Sequence, residues 1–520
     1  MGIVLYFLTC YFLFISTNEA ARILVVVPTP SVSHQVVFRP VTQELAKRGH
    51  DVTVITTDPA FPKGGAPANL TEIDVHDISY RTWRENLMVY TQGSQVGLYN
   101  QIKTIVDIGV QVFEDQFKDE NVQRLINDKS QKFDLIIVEA LSRLALGYQY
   151  FYDAPLVLMS SFGGTFENFE AVGAPSHPLL YPTLIRQRIN NLSKWEKIKE
   201  TYQLTKIETM ILDSVTEDEK LLRKLFGPEI PPVKELLKRV EMLFLNENPV
   251  FSGIRPVPPN LIYMGGIHQH PVKELPEDLK SYLDSSKNGV IYISFGTNVD
   301  PTLLPPERIQ VLVQAVSQLP YDVLWKWNGD ELPGRTANIR ISKWLPQSDL
   351  LRHPKIKVFV TQGGLQSTDE SITAGVPLIG LPMLVDQWYN VERYETHKIG
   401  FNLDIETLTT EKFKNTLLEV IENDSYRQNI VRLNKLMRDQ PQTPLERTIW
   451  WLEHLLRHGS AKHLRSPAAN ISWAEYLELE LVLTLLAGLL TAISLVVLGI
   501  YWLYKSFVKT SVTDSKVKRS

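Results

Sequence analysis

FVTQGGLQSTDESITAGVPLIGLPMLVDQWYN, Phe359 to Asn390, is the stretch on which the reading of this chain turns. The apolar run Lys357 to Thr361 in front of it predicts a buried strand. Gly363 and Gly364 follow, where backbone can approach a partner with no Cβ in the way. Gln366 to Ala374 predicts a helix, closed by Gly375 and Pro377. Pro377 to Pro382 predicts a second strand, which ends in a loop carrying Asp386 and Gln387. A helix N-terminus presents free N–H groups and partial positive charge, so this turn suits a phosphate. An ordinary βαβ unit with a glycine turn has the same layout.

Working outward, a series of the same kind precedes it. Val290–Phe295 predicts a strand ending in the turn Gly296-Thr297, and Pro305–Leu319 a helix. Val323–Trp327 and Ile339–Ile341 predict strands, and helices from Thr410 to Arg457 are expected to close this half. A second series occupies the N-terminal half. Ile23–Val27 predicts a strand, and a helix runs to Arg48, either starting near Arg39 or kinked at Pro40. Val52–Thr56, Phe133–Glu139, Ala154–Ser160 and Val240–Leu245 predict further strands. Strand–helix alternation predicts an α/β fold with parallel, doubly wound sheets. Residues 247–288, rich in proline and glycine, are expected to join the halves, with a ligand cleft between them. The expected division is a signal peptide at 1–21, an N-terminal domain at 22–246, the joint at 247–288 and a C-terminal domain at 289–465. A linker at 466–480, a membrane helix at 481–504 and a basic tail at 505–520 complete it.

The 520 residues, 44% hydrophobic and 22% charged, suffice for several domains, and the net charge of −4 without a basic run argues against nucleic acid. Ile3–Ser16 is a 14-residue apolar run that reads as a signal peptide. Leu481–Tyr504 is a 24-residue uncharged run, long enough to cross a bilayer. Glu478 and Glu480 precede it, and Lys505, Lys509, Lys516, Lys518 and Arg519 follow it. Positive flanks stay cytoplasmic, so the tail is expected in the cytosol and the body in the lumen, as a type I membrane protein. Lys516 and Lys518 in the last five residues resemble a dilysine-type retrieval signal of the endoplasmic reticulum. Cys10 is the single cysteine and lies in the signal segment, which excludes disulfides, cysteine catalysis and thiolate metal sites in the mature chain. Asn69, Asn191, Asn423 and Asn470 are glycosylation candidates. No GxGxxG follows the first strand, and GxxxxGK[ST], DxD, HExxH and GxSxG are absent.

Ser342-Lys343-Trp344-Leu345-Pro346-Gln347 and the opening stretch together resemble the signature of the UDP-glycosyltransferases, the membrane-bound type of animals. Ser31-Val32-Ser33-His34, Arg48 to Thr53 and Ser294-Phe295-Gly296-Thr297 extend the resemblance over the whole chain. Gln362 and Glu139 are most similar to insect members. The resemblance implies a GT-B fold: two Rossmann-like domains facing across a cleft, plus one C-terminal transmembrane helix. It also implies inverting, metal-independent transfer of a hexosyl group from a UDP-sugar to a small lipophilic acceptor such as a phenol, for detoxification. UDP-glucose is the expected donor, glucuronic acid the alternative sugar, and no cofactor beyond this co-substrate is implied. The other reading is a lumenal UDP-sugar or lipophile binding protein that has lost turnover. Oligomeric state, a homo-oligomer included, stays open.

His34 matches the family's base, which takes a proton from the acceptor hydroxyl. Glu139 stands where the family usually has aspartate, one methylene longer. Trp344 is expected on uracil, Gln347 on the nucleobase or ribose, Glu370 on the ribose hydroxyls, and Leu345 also among the donor-binding residues. Gly296, Thr297, Gly364 and Ser367 are expected around the diphosphate, with Ser294 and Gln366 elsewhere among the donor-binding residues. Gln362 stands where histidine is common, and it can donate to phosphate without carrying charge. Asp386 and Gln387 match the pair that holds the sugar.

Overall fold

The structure, a computed structural model, describes residues 20–90 and 97–517. Nearly all of the expected signal peptide, and residues 518–520 of the expected tail, lie outside the described residues.

Two parallel sheets organise the chain. β1 (Arg22–Val27), β2 (Asp51–Thr56), β3 (Leu70–Asp74), β4 (Leu135–Glu139), β5 (Leu156–Ser160), β6 (Val240–Leu245) and β7 (Leu261–Tyr263) form one, in the order β3-β2-β1-β4-β5-β6-β7. β8 (Val290–Ser294), β9 (Asp322–Lys326), β10 (Ile339–Ser342), β11 (Ile356–Thr361), β12 (Leu378–Gly380) and β13 (Gly400–Asn402) form the other, in the order β10-β9-β8-β11-β12-β13. Parallel sheets are covered on both faces, which is why their central strands read as unbroken apolar runs. In β1, Leu24 and Val26 enter one core while Ile23, Val25 and Val27 enter another on the opposite face. β8 does the same, with Ile291 and Ile293 on one side and Val290 and Tyr292 on the other.

In each sheet the strand order reverses once, between β1 and β4 and between β8 and β11. At such a reversal the loops leaving the carboxyl ends of the two strands part in opposite directions and open a crevice. The loops after β1, β4, β8 and β11 carry His34, Glu139, Gly296 and Gln362 to Gly364, so topology alone brings the candidate residues to two crevices.

The expected domain limits need correction. β7 lies inside the expected joint 247–288, yet it extends the first sheet by pairing Leu243 with Leu261. Glu277–Ser285, in the same stretch, is a helix whose Leu279 and Leu283 enter the core of the second half. The helix Pro444–His458, expected to close the second half, crosses back instead. Its Ile449, Leu452 and Leu455 pack with Val37, Val41 and Leu45 of the first half, and Arg48 pairs with Glu453 at 3.1 Å. An apolar stripe fixes that a helix face is buried, not what buries it. The helix after β1 runs uninterrupted over Val32–Lys47, with Pro40 inside it, rather than starting near Arg39.

The last helix, Leu479–Val517, contains one stretch long and apolar enough to cross a membrane, Leu479–Lys509, with mean hydropathy 2.7. It includes the expected span 481–504.

Candidate active site

The first crevice holds a histidine–carboxylate pair. His34 sits in the first turn of the helix after β1, and Glu139 is the last residue of β4, the strand beside β1. His34 Nδ1 lies 2.5 Å from Glu139 Oε1. Thr29 donates its backbone N–H to the other carboxylate oxygen at 3.1 Å. The Glu139 side chain is fully buried and that of His34 is 12% exposed. The edge of the imidazole meets Phe162, with ring centroids 5.3 Å apart. With Nδ1 engaged, Nε2 is the nitrogen left for an incoming hydroxyl. The glutamate, one methylene longer than aspartate, therefore still reaches the histidine.

The second crevice is built of two glycine turns. After β8, Gly296 adopts φ 71°, and its N–H donates to Ser294 Oγ at 3.3 Å. After β11, Gly363 has φ 90°, and a Cβ there would lie 2.3 Å from Val391 Cγ2, so only glycine fits. Gly364 caps the helix Leu365–Ala374, which has no side-chain cap, leaving its first N–H groups for a ligand. Gln362 is buried between the turns: its Nε2 lies 2.5 Å from where a Gly296 Cβ would be, and its Oε1 has no partner. Thr297 is exposed beside it. Lys326, which the sequence reading passed over, donates to Gly296 O at 2.7 Å, and burial pulls its ammonium pKa down.

Next to these turns, Gln347 receives a hydrogen bond from Tyr292 at 3.0 Å and donates to Ser367 Oγ at 2.8 Å and Glu370 Oε2 at 2.7 Å. Burial pushes the Glu370 carboxyl up, against the pull of the Gln347 amide. Trp344 is 65% exposed, a flat aromatic face open to solvent rather than a core residue. Leu345 is buried in the second half's core, so it can offer a ligand only backbone.

The loop after β12 closes the space between the crevices. Val385 adopts φ 35°, unusual for a β-branched residue, and such strain persists where surrounding structure enforces it. Asp386 accepts from Asn390 at 2.8 Å. Burial pushes its carboxyl up to about 6, while Asn390 and the facing His34 pull it down. Gln387 is committed to the loop itself, its Oε1 accepting from Met383 N and Leu384 N at 2.9 and 2.8 Å.

Gln366 is placed differently from the expectation. Its amide donates across the cleft to Ser33 O at 3.2 Å and Ser161 O at 2.9 Å, clasping the halves together. Ser31 Oγ reaches Asn298 Oδ1 at 3.2 Å in the same seam. Gln101, not singled out in the sequence, is fully buried on the helix Leu98–Phe117 and donates to Met383 O at 3.0 Å. A polar residue between Leu98 and Ile102 on a buried helix face was the signal that could have found it. Its truncation leaves Met383 O without that donor, and an unsatisfied buried group costs about 1–3 kcal/mol. Gln101→Leu is therefore expected to loosen the Asp386 loop and raise the KM for the sugar donor at least about fivefold, with kcat less affected; steady-state kinetics checks this.

Of the four sequons, Asn69 donates to Ala46 O and His50 O, Asn423 to Glu419, and Asn470 to Ala171 O. Asn191 stands exposed in a turn at φ 49°.

Comparison with known proteins agrees on one group. The profile of the UDP-glucoronosyl and UDP-glucosyl transferase family matches residues 21–514. An ecdysteroid UDP-glucosyltransferase of Spodoptera littoralis nuclear polyhedrosis virus is 35% identical over 490 residues, 90% of this chain and 94% of that one. UDP-glucosyltransferase 2 of the insect Dactylopius coccus is 30% identical over 484 residues, 92% of each chain. A UDP-glucose:anthocyanidin 3-O-glucosyltransferase solved with UDP superposes with a TM-score of 0.58 at 16% identity, covering 85% of this chain and all of that one. This last likeness establishes the GT-B fold.

Proposed function

The chain belongs to the UDP-glucoronosyl and UDP-glucosyl transferase family, enzymes that move sugar from a UDP-sugar, and on that premise we propose that it transfers glucose, with inversion and without a metal, to a hydroxyl of a small lipophilic acceptor. The observation that carries the reading is the His34–Glu139 pair at 2.5 Å, next to Ser33, whose carbonyl accepts from Gln366 of the other half at 3.2 Å. His34 Nε2 takes the acceptor proton as the oxygen attacks the anomeric carbon, the bond from that carbon to the β-phosphate oxygen breaks so that UDP leaves, and Glu139 stabilises the imidazolium that forms. Uracil stacks on Trp344, the ribose hydroxyls meet Glu370, and the diphosphate lies at Gly296, Gly364 and the free N-terminus of Leu365–Ala374. Asp386 faces the sugar, on the loop that Gln387 braces through Met383 N and Leu384 N.

An apolar cluster joining Leu98, Tyr99, Ile102, Ile207 and Met210 of the first half to Trp388 of the second supports a lipophilic acceptor. Two of the relatives carry glucosyltransferase names, one of them with ecdysteroids as substrate, which supports glucose over glucuronic acid. Turnover with UDP-glucose against UDP-glucuronate, using phenols and an ecdysteroid as acceptors, tests this. Faster turnover with UDP-glucuronate on every acceptor would overturn it.

Asp386 gives the donor site a pH dependence. Its carboxyl titrates at about 6, above the ordinary range, so it is ionised above that pH and neutral below. Donor affinity is expected to fall as pH drops through about 6 in the wild type and to stay flat in Asp386→Asn. Binding rather than turnover is the measurement, because it reads the donor site apart from the proton-transfer step.

We further place the body in the lumen of the endoplasmic reticulum, with Leu479–Lys509 crossing the bilayer, the tail cytosolic and detoxification of lipophiles as the role. On this reading Asn191, whose side chain is exposed, is the sequon expected to carry a glycan. Asn191→Gln should abolish the larger part of the mobility shift seen on glycosidase treatment of microsomal protein, and no shift in the wild type would place the body on the other side.

A further inference from the structure

Three histidines gather at the end of the helix Pro444–His458 and in the turn Lys462–Leu464 that follows it. They take no part in the cleft chemistry. Glu453, beside His454, pairs with Arg48 at the far end of the helix that begins near His34. At 1.5 Å per residue this puts the cluster about 20 Å from His34.

His454 Nε2 and His463 Nε2 are 3.3 Å apart. Two imidazole nitrogens bound to one tetrahedral zinc ion, each at about 2.0–2.1 Å, stand about 3.3–3.4 Å from one another. The pair thus has the spacing of two ligands of one ion. His458 lies one turn beyond His454 on the same helix, so both project from one face. Its ring centroid is 4.5 Å from that of His454 and 6.2 Å from that of His463. No three metal-ligating side chains among the described residues already converge on one point. Here two do, and His458 stands exposed one turn away on the same helix.

The surroundings favour ordered imidazoles. Trp450 stacks on His454 at 5.3 Å with planes 20° apart, and Trp451 meets it edge-on at 5.2 Å. The opposing charge is Arg457, whose guanidinium lies over Trp450 at 5.8 Å and 3.9 Å from Glu453 Oε2. Glu453 partly neutralises it and Arg48 together. All-nitrogen ligation of this kind selects zinc, copper or nickel over calcium or magnesium.

We propose that His454, His463 and His458 form a surface site for a divalent transition-metal ion, with Zn2+ as the representative ligand and water completing its shell. Bound metal would tie the end of the helix Pro444–His458 to the turn that leads into the membrane linker.

The test uses the full-length, untagged chain in detergent, stripped with a chelator and titrated with Zn2+ against a chromophoric competitor. One ion per chain is expected. His454→Gln and His463→Gln should each weaken binding by more than about tenfold, and His458→Gln by less, with circular dichroism confirming that each variant is folded. Cu2+ should quench tryptophan emission in the wild type, through Trp450 and Trp451, and quench it less in His463→Gln. Sugar transfer by metal-free His463→Gln should equal that of the metal-free wild type. The proposal is overturned if wild type binds no Zn2+ at submillimolar concentration, or if the His454→Gln/His463→Gln double variant binds it equally well. The 3.3 Å contact would then be an N–H···N hydrogen bond and nothing more.

Discussion

His34→Ala is expected to lower kcat by about 10²–10⁴-fold, the range of a positioned general base, while the KM for UDP-glucose stays within about twofold. The separation follows from placement. His34 stands at the carboxyl end of the first sheet, whereas Trp344, Gln347, Glu370 and the glycine turns, which are expected to hold the nucleotide, all belong to the second. Removing the imidazole also strips Glu139 of its side-chain partner and leaves a buried carboxylate with the Thr29 N–H alone. Loss of a hydrogen bond to a buried charged group costs about 1.5–3 kcal/mol, so His34→Ala is also expected to lose stability. His34→Gln resolves this. Its amide can still donate to Glu139 but cannot accept and carry a proton, so it should melt near the wild-type temperature and be as slow as His34→Ala. A His34→Gln variant with near wild-type kcat would remove His34 from the chemistry.

Glu139→Gln is the second large effect, expected at about 10²-fold or more in kcat. The carboxylate accepts from the Nδ1 side of the ring, so the basic lone pair sits on Nε2. An amide in its place can present N–H to Nδ1 instead, which moves the ring proton to Nε2 and leaves no base facing the acceptor. It also removes the charge that stabilises the imidazolium. Because the two residues act as one unit, His34→Gln/Glu139→Gln should be no slower than His34→Gln alone. Glu139→Asp tests reach. The strand end is fixed by pairing of Glu139 with Met159 of β5, so a side chain shorter by one methylene cannot recover its contact by sliding. It should fall between wild type and Glu139→Gln.

The central strands of both sheets were legible because parallel, twice-covered strands are unbroken apolar runs, as in Leu135–Glu139 and Val290–Ser294. β3 (LTEID) and β13 (GFN) were not legible because these edge strands carry polar or glycine positions, and β7 (LIY) because three residues are too short to show a pattern. Proline and glycine between 247 and 288 marked a boundary, but such residues end short elements as readily as they link domains, and β7 and Glu277–Ser285 were hidden there. The return of Pro444–His458 to the first half was not readable, since its apolar stripe would fit either core.

The candidate site divides in the same way. His34 and Glu139 are 105 positions apart, and what joins them is the order of β1 and β4 in the sheet, which local sequence does not encode. The glycine turns and the helix start at Gly364 were readable as local geometry. Contacts between the halves were not. Gln366 is expected among the donor-binding residues, yet its amide serves Ser33 and Ser161. Gln101 drew no attention because its partner, Met383, lies 282 residues away.

The central claim is that the two halves form one inverting transfer site. Its most direct test is proton NMR of the product made from UDP-glucose and a hydroxyl acceptor by the full-length chain. UDP-glucose carries an α-linked sugar, and one displacement assisted by His34 must give a β-glucoside. A β-linked product is expected, released with one UDP per transfer and absent with His34→Gln. An α-linked product, or the same product at the same rate from His34→Gln, would contradict it.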